Sequence, residues 1–346
     1  MGESKPRVGV IGATGYSGME LIRLLLLHPN VQLTYLAGSR ARSESFGAMF
    51  LHLAHLEGVS VEAFDVEACK QACDLAFVAL PSGESGRVAA ALWSAGLRVI
   101  DLSGDLRLPA DVYQAWYGHT PVETSAQAAA VYGLTEFARD EIASAQLVAN
   151  PGCYATAAVL ALKPLQDHPI LQAGIPVIVD AKSGVTGAGR SAKTHLQFAE
   201  LTDDFYPYKV GKHQHVPEIE QALGAEVPIV LTTQLLPVSR GIFASVYITL
   251  TTEVDREAIY QRYLETYANE PFVHVLPYGE VPHIKAVQGT NFCHIGLVLD
   301  EQKKVLQVFS VIDNLQKGAA GQALQNANLM LRRNETDGLN AAALWM

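Results

Sequence analysis

Three short runs of this chain hold the residue types that could do chemistry. Asn150-Pro-Gly-Cys153-Tyr-Ala-Thr156 joins a strand signal (Leu147 to Ala149) to a helical run ending near Lys163-Pro164. That context puts Cys153 at a helix N-terminus, where orphan amides and the helix dipole stabilise a thiolate and make it a nucleophile at neutral pH. A thiolate enzyme needs a proton donor close by. Tyr208-Lys-Val-Gly-Lys212-His213-Gln-His215-Val-Pro-Glu218-Ile-Glu220 packs two histidines, two lysines and two carboxylates into thirteen residues. In an extended segment His213 and His215 share a face, and Pro217 then starts a helix carrying Glu218 and Glu220. The third run, Gly12-Ala-Thr-Gly15-Tyr-Ser-Gly18, follows a strand signal (Val8 to Ile11) and opens a helical one. This is the setting of a dinucleotide-binding glycine turn: glycines permit close backbone approach, and the helix N-terminus faces a pyrophosphate. Thr14, Tyr16 and Ser17 lie between those glycines and belong to the same candidate cofactor loop.

The end of the second strand separates the nicotinamide cofactors, because a carboxylate there receives the ribose hydroxyls of NAD. Here it reads Ala37-Gly-Ser39-Arg40-Ala-Arg42, with no carboxylate. Ser39, Arg40 and Arg42 suit the 2′-phosphate of NADP, which a planar guanidinium binds bidentately. Three more runs combine glycine or serine with a fixed cation and could hold a phosphate or carboxylate: Asp101-Leu-Ser103-Gly-Asp105-Leu-Arg107, Lys182-Ser183-Gly184-Val-Thr-Gly187-Ala-Gly-Arg190 and Ser239-Arg240-Gly241. Arg107 and Arg190 are the stronger candidates. Cys69 and Cys73 fall on one helix face and read as packing. Cys293 and His294 alternate across a strand, and nothing has zinc-ligand spacing, so no metal is assigned.

The elements that must position these groups divide the chain in two. Up to about residue 150, short β runs alternate with helical ones (Gly18 to Leu27 and Arg87 to Ala95), which argues for an α/β domain with a Rossmann-type parallel sheet. Between Ala110 and Gln127 the periodicity is lost, as for loops over a site. From about Gly174 long β runs dominate, with a helix at Arg256 to Tyr267. A hairpin across Asp300-Glu-Gln-Lys-Lys304 indicates a mainly antiparallel sheet in an α+β domain. A last helix spans about Leu315 to Arg332.

With 346 residues, 49% of them hydrophobic and 17% charged, the chain is long enough for two packed domains. Its formal net charge of -10 gives no general positive field for nucleic acid or an anionic membrane. Four cysteines are too few for a disulfide framework, no apolar run reaches the length of a membrane span, and Met1 to Lys5 leads straight into the first strand. A cytoplasmic protein is expected.

Taken together, Gly12-Ala-Thr-Gly15-Tyr-Ser-Gly18-Met-Glu20-Leu21, Asn150-Pro-Gly-Cys153-Tyr-Ala-Thr156, His213-Gln-His215-Val-Pro-Glu218-Ile-Glu220 and Asp313-Asn-Leu-Gln-Lys317-Gly-Ala-Ala-Gly321 closely resemble the N-acetyl-gamma-glutamyl-phosphate reductase family over nearly the whole chain. One departure is Leu106, where the family pattern has Phe; the change stays apolar. The resemblance implies a fold like that of aspartate-semialdehyde and glyceraldehyde-3-phosphate dehydrogenases. In that plan residues 1–150, completed by a C-terminal helix in 314–346, bind NADP, and residues 151–313 form the catalytic and dimerisation domain.

The same resemblance implies an activity in arginine biosynthesis: NADPH-dependent reductive dephosphorylation of N-acetylglutamyl 5-phosphate to the 5-semialdehyde. Cys153 would attack the acyl phosphate, inorganic phosphate would leave, and the thioester would be reduced by hydride. A histidine would then protonate the thiohemiacetal oxygen, His213 being the first choice and His215 the second. Further cofactor contacts are implied at Pro81, Ser82, Ser183, Gly184, Gly187 and Asn314. Substrate contacts are implied at Ser103, Asp105, Arg107, Asn150, Tyr154, Arg190 and Glu218. A small-molecule acyl phosphate is the expected partner, and a homo-oligomer the expected assembly, dimer or tetramer. Relatives acting on aspartyl phosphate or a carrier-linked aminoadipyl phosphate stand as the nearest rivals.

Overall fold

The computed structural model describes residues 4–38, 45–56, 59–224 and 226–345, and the chain divides into two compact units: Met1–Pro151 with Ala320–Leu339, and Gly152–Ala319 with Asn340–Met346.

Unit 1 is built on a seven-stranded sheet, all parallel. Its strands are β1 (Arg7–Ile11), β2 (Gln32–Gly38), β3 (Glu62–Ala63), β4 (Leu75–Val78), β5 (Arg98–Asp101), β6 (Val131–Tyr132) and β7 (Leu147–Ala149). The order β3-β2-β1-β4-β5-β7-β6 reverses direction between β1 and β4, the switch point where open parallel sheets bind ligands beyond the strand C-termini. Continuous apolar strands such as Leu75-Ala-Phe-Val78, buried at every position, are what a sheet covered on both faces demands. The turn after β1 needs glycine twice. Gly12 has φ +89°, and a Cβ there would lie 2.4 Å from Ala79 O; a Cβ on Gly18 would lie 2.2 Å from Gly12 O. The helix Gly321–Met330 docks in this unit through buried amides, with Asn326 donating to Gly133 O and accepting from the Thr135 hydroxyl.

Two readings change in unit 1. Residues 110–127 are not all loop: helices form at Ala110–Tyr117 and Thr124–Ala129, too short to show periodicity, the first pinned by the fully buried Tyr113. The Asp101 to Arg107 run, expected to hold an anion, spends polar groups on hydrogen bonds within unit 1. Asp101 accepts from the Ser85 and Ser103 hydroxyls, and burial pushes its carboxyl up to about 6 despite those bonds. The Asp105 carboxylate accepts from the Gly83 and Gly86 amides (2.9 and 2.8 Å) and the Tyr113 hydroxyl (2.8 Å), filling the start of helix Ser85–Ser94. Arg107 donates to Asn150 O (2.7 Å) and Leu102 O (2.9 Å).

Unit 2 holds a mixed sheet in the order β12-β13-β14-β11-β8-β10-β9, antiparallel except at β8/β10 and β12/β13. The strands are β8 (Val177–Gly184), β9 (Pro207–Tyr208), β10 (Ile229–Leu236), β11 (Ile242–Thr249), β12 (Val273–Val275), β13 (Cys293–Asp300) and β14 (Val305–Ile312). The helix Cys153–Leu162 is apolar all round and buried from Tyr154 onward, as a central helix must be. It lies on β11 and β14, contacts helix His215–Leu223, and accepts at Leu160 O and Ala161 O from the hydroxyls of Tyr267 and Tyr263. The final helical run is also split: a π-helical turn at Gln316–Ala320 precedes helix Gly321–Met330. Residues 314–319 and 340–346 group with unit 2, because Asn314 ties into its loops and Leu344 N donates to Gln288 O. Among the described residues no helix is long and apolar enough to cross a membrane, and no group of three metal-ligating side chains converges.

Asp105→Ala orphans two amides and a hydroxyl. At about 1–3 kcal/mol per buried unsatisfied group, urea unfolding should show a loss of about 3 kcal/mol or more. Native stability with only a raised KM would mean that Asp105 serves the substrate.

Candidate active site

Cys153 is the first residue of its helix and only partly buried, whereas Cys69, Cys73 and Cys293 are buried. The preceding Gly152 is extended (φ -72°, ψ 148°) and has no side chain to cap the helix. Its own amide donates to the Glu218 carboxylate at 2.7 Å, and its carbonyl accepts from Thr156 N, closing the first turn. From the other side comes the π-helical turn: a Cβ on Gly318 would lie 2.9 Å from Cys153 Cβ, so only glycine fits without displacing the cysteine. The buried Asp313 anchors this turn. Its carboxylate accepts from the amides of Leu315, Gln316 and Gly289 and pairs with Arg240 at 3.1 Å, while Gly318 N donates to Asp313 O.

Beside Cys153 in sequence, Tyr154 packs edge-on against both histidines, with ring centroids 5.4 Å from His213 and 6.0 Å from His215. The histidine rings are 4.7 Å apart, and Tyr208 adds a further edge contact to His213. They do not sit in an extended segment: the helix begins at His215, because Gln214 is already in the right-handed region (φ -62°, ψ -10°). This local bend lets His215 N donate to His213 Nδ1 at 3.2 Å. With Nδ1 accepting, the neutral ring carries its proton on Nε2. Burial lowers the His213 pKa to about 2, reinforced by His215 and Lys209 and opposed by Glu218, so the ring is neutral across the physiological range. Tyr208 donates to the Tyr154 hydroxyl (3.1 Å), which donates to Gln234 O (3.3 Å). Burial drives both phenols up, Tyr208 to about 12, so both remain neutral donors.

Unit 2 also contains Ser183, Gly184, Gly187 and Asn314. Asn314 accepts from Gly241 N (2.8 Å) and donates to the Thr186 hydroxyl (2.9 Å), so it pins the two loops that follow β8 and β10. Gly184 is a steric requirement, since a Cβ would lie 2.6 Å from Arg240 N. The Ser183 hydroxyl interacts with Tyr154, while Gly187 and Arg190 are exposed. Asn150 belongs to unit 1 and accepts there from Asn326 Nδ2.

The glycine turn of unit 1 suits a dinucleotide. Gly15 caps helix Tyr16–Leu26 with no side-chain acceptor and no acidic residue in the first turn. Unlike Gly12 and Gly18, it has only ordinary van der Waals surroundings, the nearest atom to an added Cβ being 3.6 Å away. Packing therefore does not require glycine there, whereas close approach of a pyrophosphate does. Pro81 and Ser82 lie in the loop after β4, next to the same turn, since Ala79 O touches the Gly12 position. Ser39, Arg40 and Arg42 lie outside the described residues.

Tyr208, Asp313 and Gly318 were not singled out for roles by sequence reasoning. Tyr208 opens the histidine run, and an Asp-Asn pair directly after a strand signals a turn anchor, so two of the three had a trace in the sequence.

Residues 7–145 match the semialdehyde dehydrogenase NAD binding domain, and residues 153–314 match the semialdehyde dehydrogenase dimerisation domain. The chain is 45% identical over 338 residues to an N-acetyl-gamma-glutamyl-phosphate reductase of Bacillus cytotoxicus, covering 96% of this chain and 98% of that protein. It is 43% identical to the protein of that name from Bacillus subtilis, over 98% and 99% of the two chains. Among solved structures, aspartate semialdehyde dehydrogenase II from Vibrio cholerae superposes with a TM-score of 0.71 at 20% identity, covering 95% of this chain and 99% of that one. With a match to a nicotinamide-binding domain, a partly exposed cysteine at a helix start and near full-length identity of this order, the chain belongs to the N-acetyl-gamma-glutamyl-phosphate reductase family of the semialdehyde dehydrogenases.

Proposed function

We propose that this protein reduces N-acetylglutamyl 5-phosphate to N-acetylglutamate 5-semialdehyde with NADPH, as a cytoplasmic step of arginine biosynthesis. The observation that carries the reading is Cys153: the one cysteine of four that is not buried, at a helix start, near Tyr154 and Tyr208, whose rings pack against His213.

In this reading the Cys153 thiolate attacks the acyl carbon. The C–S bond forms as the C–O bond to phosphate breaks, and the reaction's single proton ends on the departing phosphate. NADPH, when bound, supplies the hydride that reduces the thioester. The resulting oxyanion collapses, the C–S bond breaks, and the aldehyde leaves with the thiolate restored. His213 donates a hydrogen bond from Nε2 to the carbonyl oxygen as it gains charge, the role of a neutral, preorganised donor. This replaces the protonation step expected from sequence, because a ring held neutral by burial has no imidazolium proton to give. His215 fixes the His213 ring through its backbone amide.

The Gly12 to Gly18 turn would hold the pyrophosphate, and Ser39, Arg40 and Arg42 the 2′-phosphate that distinguishes NADP from NAD. Arg190, on the surface of unit 2, would meet the substrate carboxylate. A homo-oligomer fits the outer face of the unit 2 sheet, where Ile178 and Val230 are 45% and 49% exposed, and the dimerisation-domain match there.

The assay is the reverse reaction: N-acetylglutamate semialdehyde, phosphate and NADP, followed by NADPH absorbance, beside aspartate semialdehyde and NAD. Phosphate-dependent turnover of the acetylated substrate with NADP is expected. Turnover of another semialdehyde alone would overturn the substrate assignment. Cys153→Ser should abolish turnover and keep NADPH binding, and His213→Ala should lose about 10² to 10³-fold in kcat. Because His213 is already neutral, the acid limb of kcat/KM for the aldehyde should coincide with the pH dependence of Cys153 alkylation in free enzyme. An extra limb near pH 6.5, absent from alkylation, would contradict a neutral His213. Gly15→Ala should keep stability within about 1 kcal/mol yet weaken NADPH binding about tenfold or more. Gly18→Ala should instead unfold more readily, by about 1–3 kcal/mol. Unchanged NADPH affinity in Gly15→Ala would remove the cofactor from this turn.

A further inference from the structure

The sequence reading treats Glu218 as a substrate contact, but its surroundings assign it other work. Glu218 is 1% exposed, so a substrate cannot reach its carboxylate without rearrangement of the helix that carries it. One carboxylate oxygen lies 2.7 Å from the amide of Gly152, the residue directly before Cys153. Gly152 has no side chain to cap the helix, and no acidic residue stands in its first turn. The amide of the N-cap residue is thus bonded by a carboxylate from 66 residues away, the bond that the acidic member of a capping box would make.

We propose that Glu218 is a positioning residue: it holds the turn from which Cys153 projects and places a fixed negative charge at the end of the helix where the thiolate forms. This inference rests on Cys153 being the nucleophile. Its electrostatic consequence runs against the usual expectation for a cysteine at a helix start. A carboxylate there stabilises the helix, because it meets the positive end of the dipole. The same carboxylate repels a thiolate one residue further on, so part of the dipole's benefit to Cys153 is cancelled. Among the described residues, Tyr154 and Tyr208, both held neutral, lie near Cys153, and His215 and Lys209 bear on His213, while the buried Lys317 stands in the turn that brings Gly318 against Cys153, a turn anchored by Asp313 and its partner Arg240. Glu218 is a carboxylate fixed at this helix end, and its worth lies in geometry: it clamps the turn that Gly318 backs, which limits where Cys153 can sit.

The test is the rate of Cys153 carboxamidomethylation by iodoacetamide against pH in substrate-free enzyme, for wild type, Glu218→Gln and Glu218→Ala, with the modified peptide identified by mass spectrometry. Glu218→Gln keeps an acceptor for the Gly152 amide and removes the charge. Its alkylation midpoint should fall by about half a pH unit or more, with KM for the aldehyde within about twofold. Glu218→Ala removes both, and should lower kcat beyond the Gln variant. Unchanged alkylation midpoints in both variants, together with a KM raised about tenfold or more, would overturn the proposal and make Glu218 a substrate contact. If the midpoint shifts but fully alkylated enzyme still turns over, the positioning role stands and the nucleophile assignment falls.

Discussion

The hydrogen bond from the Gly152 amide to the Glu218 carboxylate ties the first turn of the helix that presents Cys153 to the helix that presents His215. Elsewhere the Cys153 helix is held by apolar packing and by hydrogen bonds at its far end, from Lys163 Nζ to Ala222 O and from the Tyr263 and Tyr267 hydroxyls, none of which fixes the direction in which its first side chain points. A buried charge-assisted bond is directional and costly to lose. It therefore fixes the first turn of the Cys153 helix, and with it the relation of the cysteine to Tyr154 and the two histidines.

The same device recurs wherever a loop must be held. In unit 2, Asp313 gathers three backbone amides and Arg240, shaping the turn that brings Gly318 against Cys153. In unit 1, Asp105 gathers two amides and a phenol, shaping the loop after β4. Each carboxylate is buried and fully engaged, so it trades the chance of meeting a ligand for rigidity of the segment that does. Glycine completes the arrangement at the points of closest approach. Gly12, Gly18, Gly184 and Gly318 are glycine because neighbouring atoms leave no room, whereas the packing around Gly15 has room for a side chain.

The parallel sheet was legible because its strands are continuous apolar runs, and the second sheet because its strands are long and its hairpin is charged. Helix Arg256–Tyr267 and strand Leu147–Ala149 have the limits that their patterns suggest. The short helices in 110–129 were hidden because one or two turns cannot display a period. The candidate nucleophile, the histidine pair and the glycine turn were visible as residue types in context. What composition could not reveal was which polar groups the fold itself consumes. Ser103, Asp105 and Asn150, expected as substrate contacts, each also bond to backbone or to neighbouring side chains, which no motif displays. Likewise, the neutral state of His213 depends on burial and on a backbone donor two residues on, neither of which a one-dimensional motif contains.

The claim on which the rest turns is that the acyl group is carried on Cys153. It is tested most directly by mixing the enzyme with N-acetylglutamyl 5-phosphate in the absence of nicotinamide cofactor, quenching in acid and mapping the peptides by mass spectrometry. The account predicts release of about one phosphate per site and an N-acetylglutamyl adduct on the Cys153 peptide that disappears when NADPH is added before the quench. Full turnover with NADPH, but no adduct and no cofactor-independent phosphate burst, would contradict it.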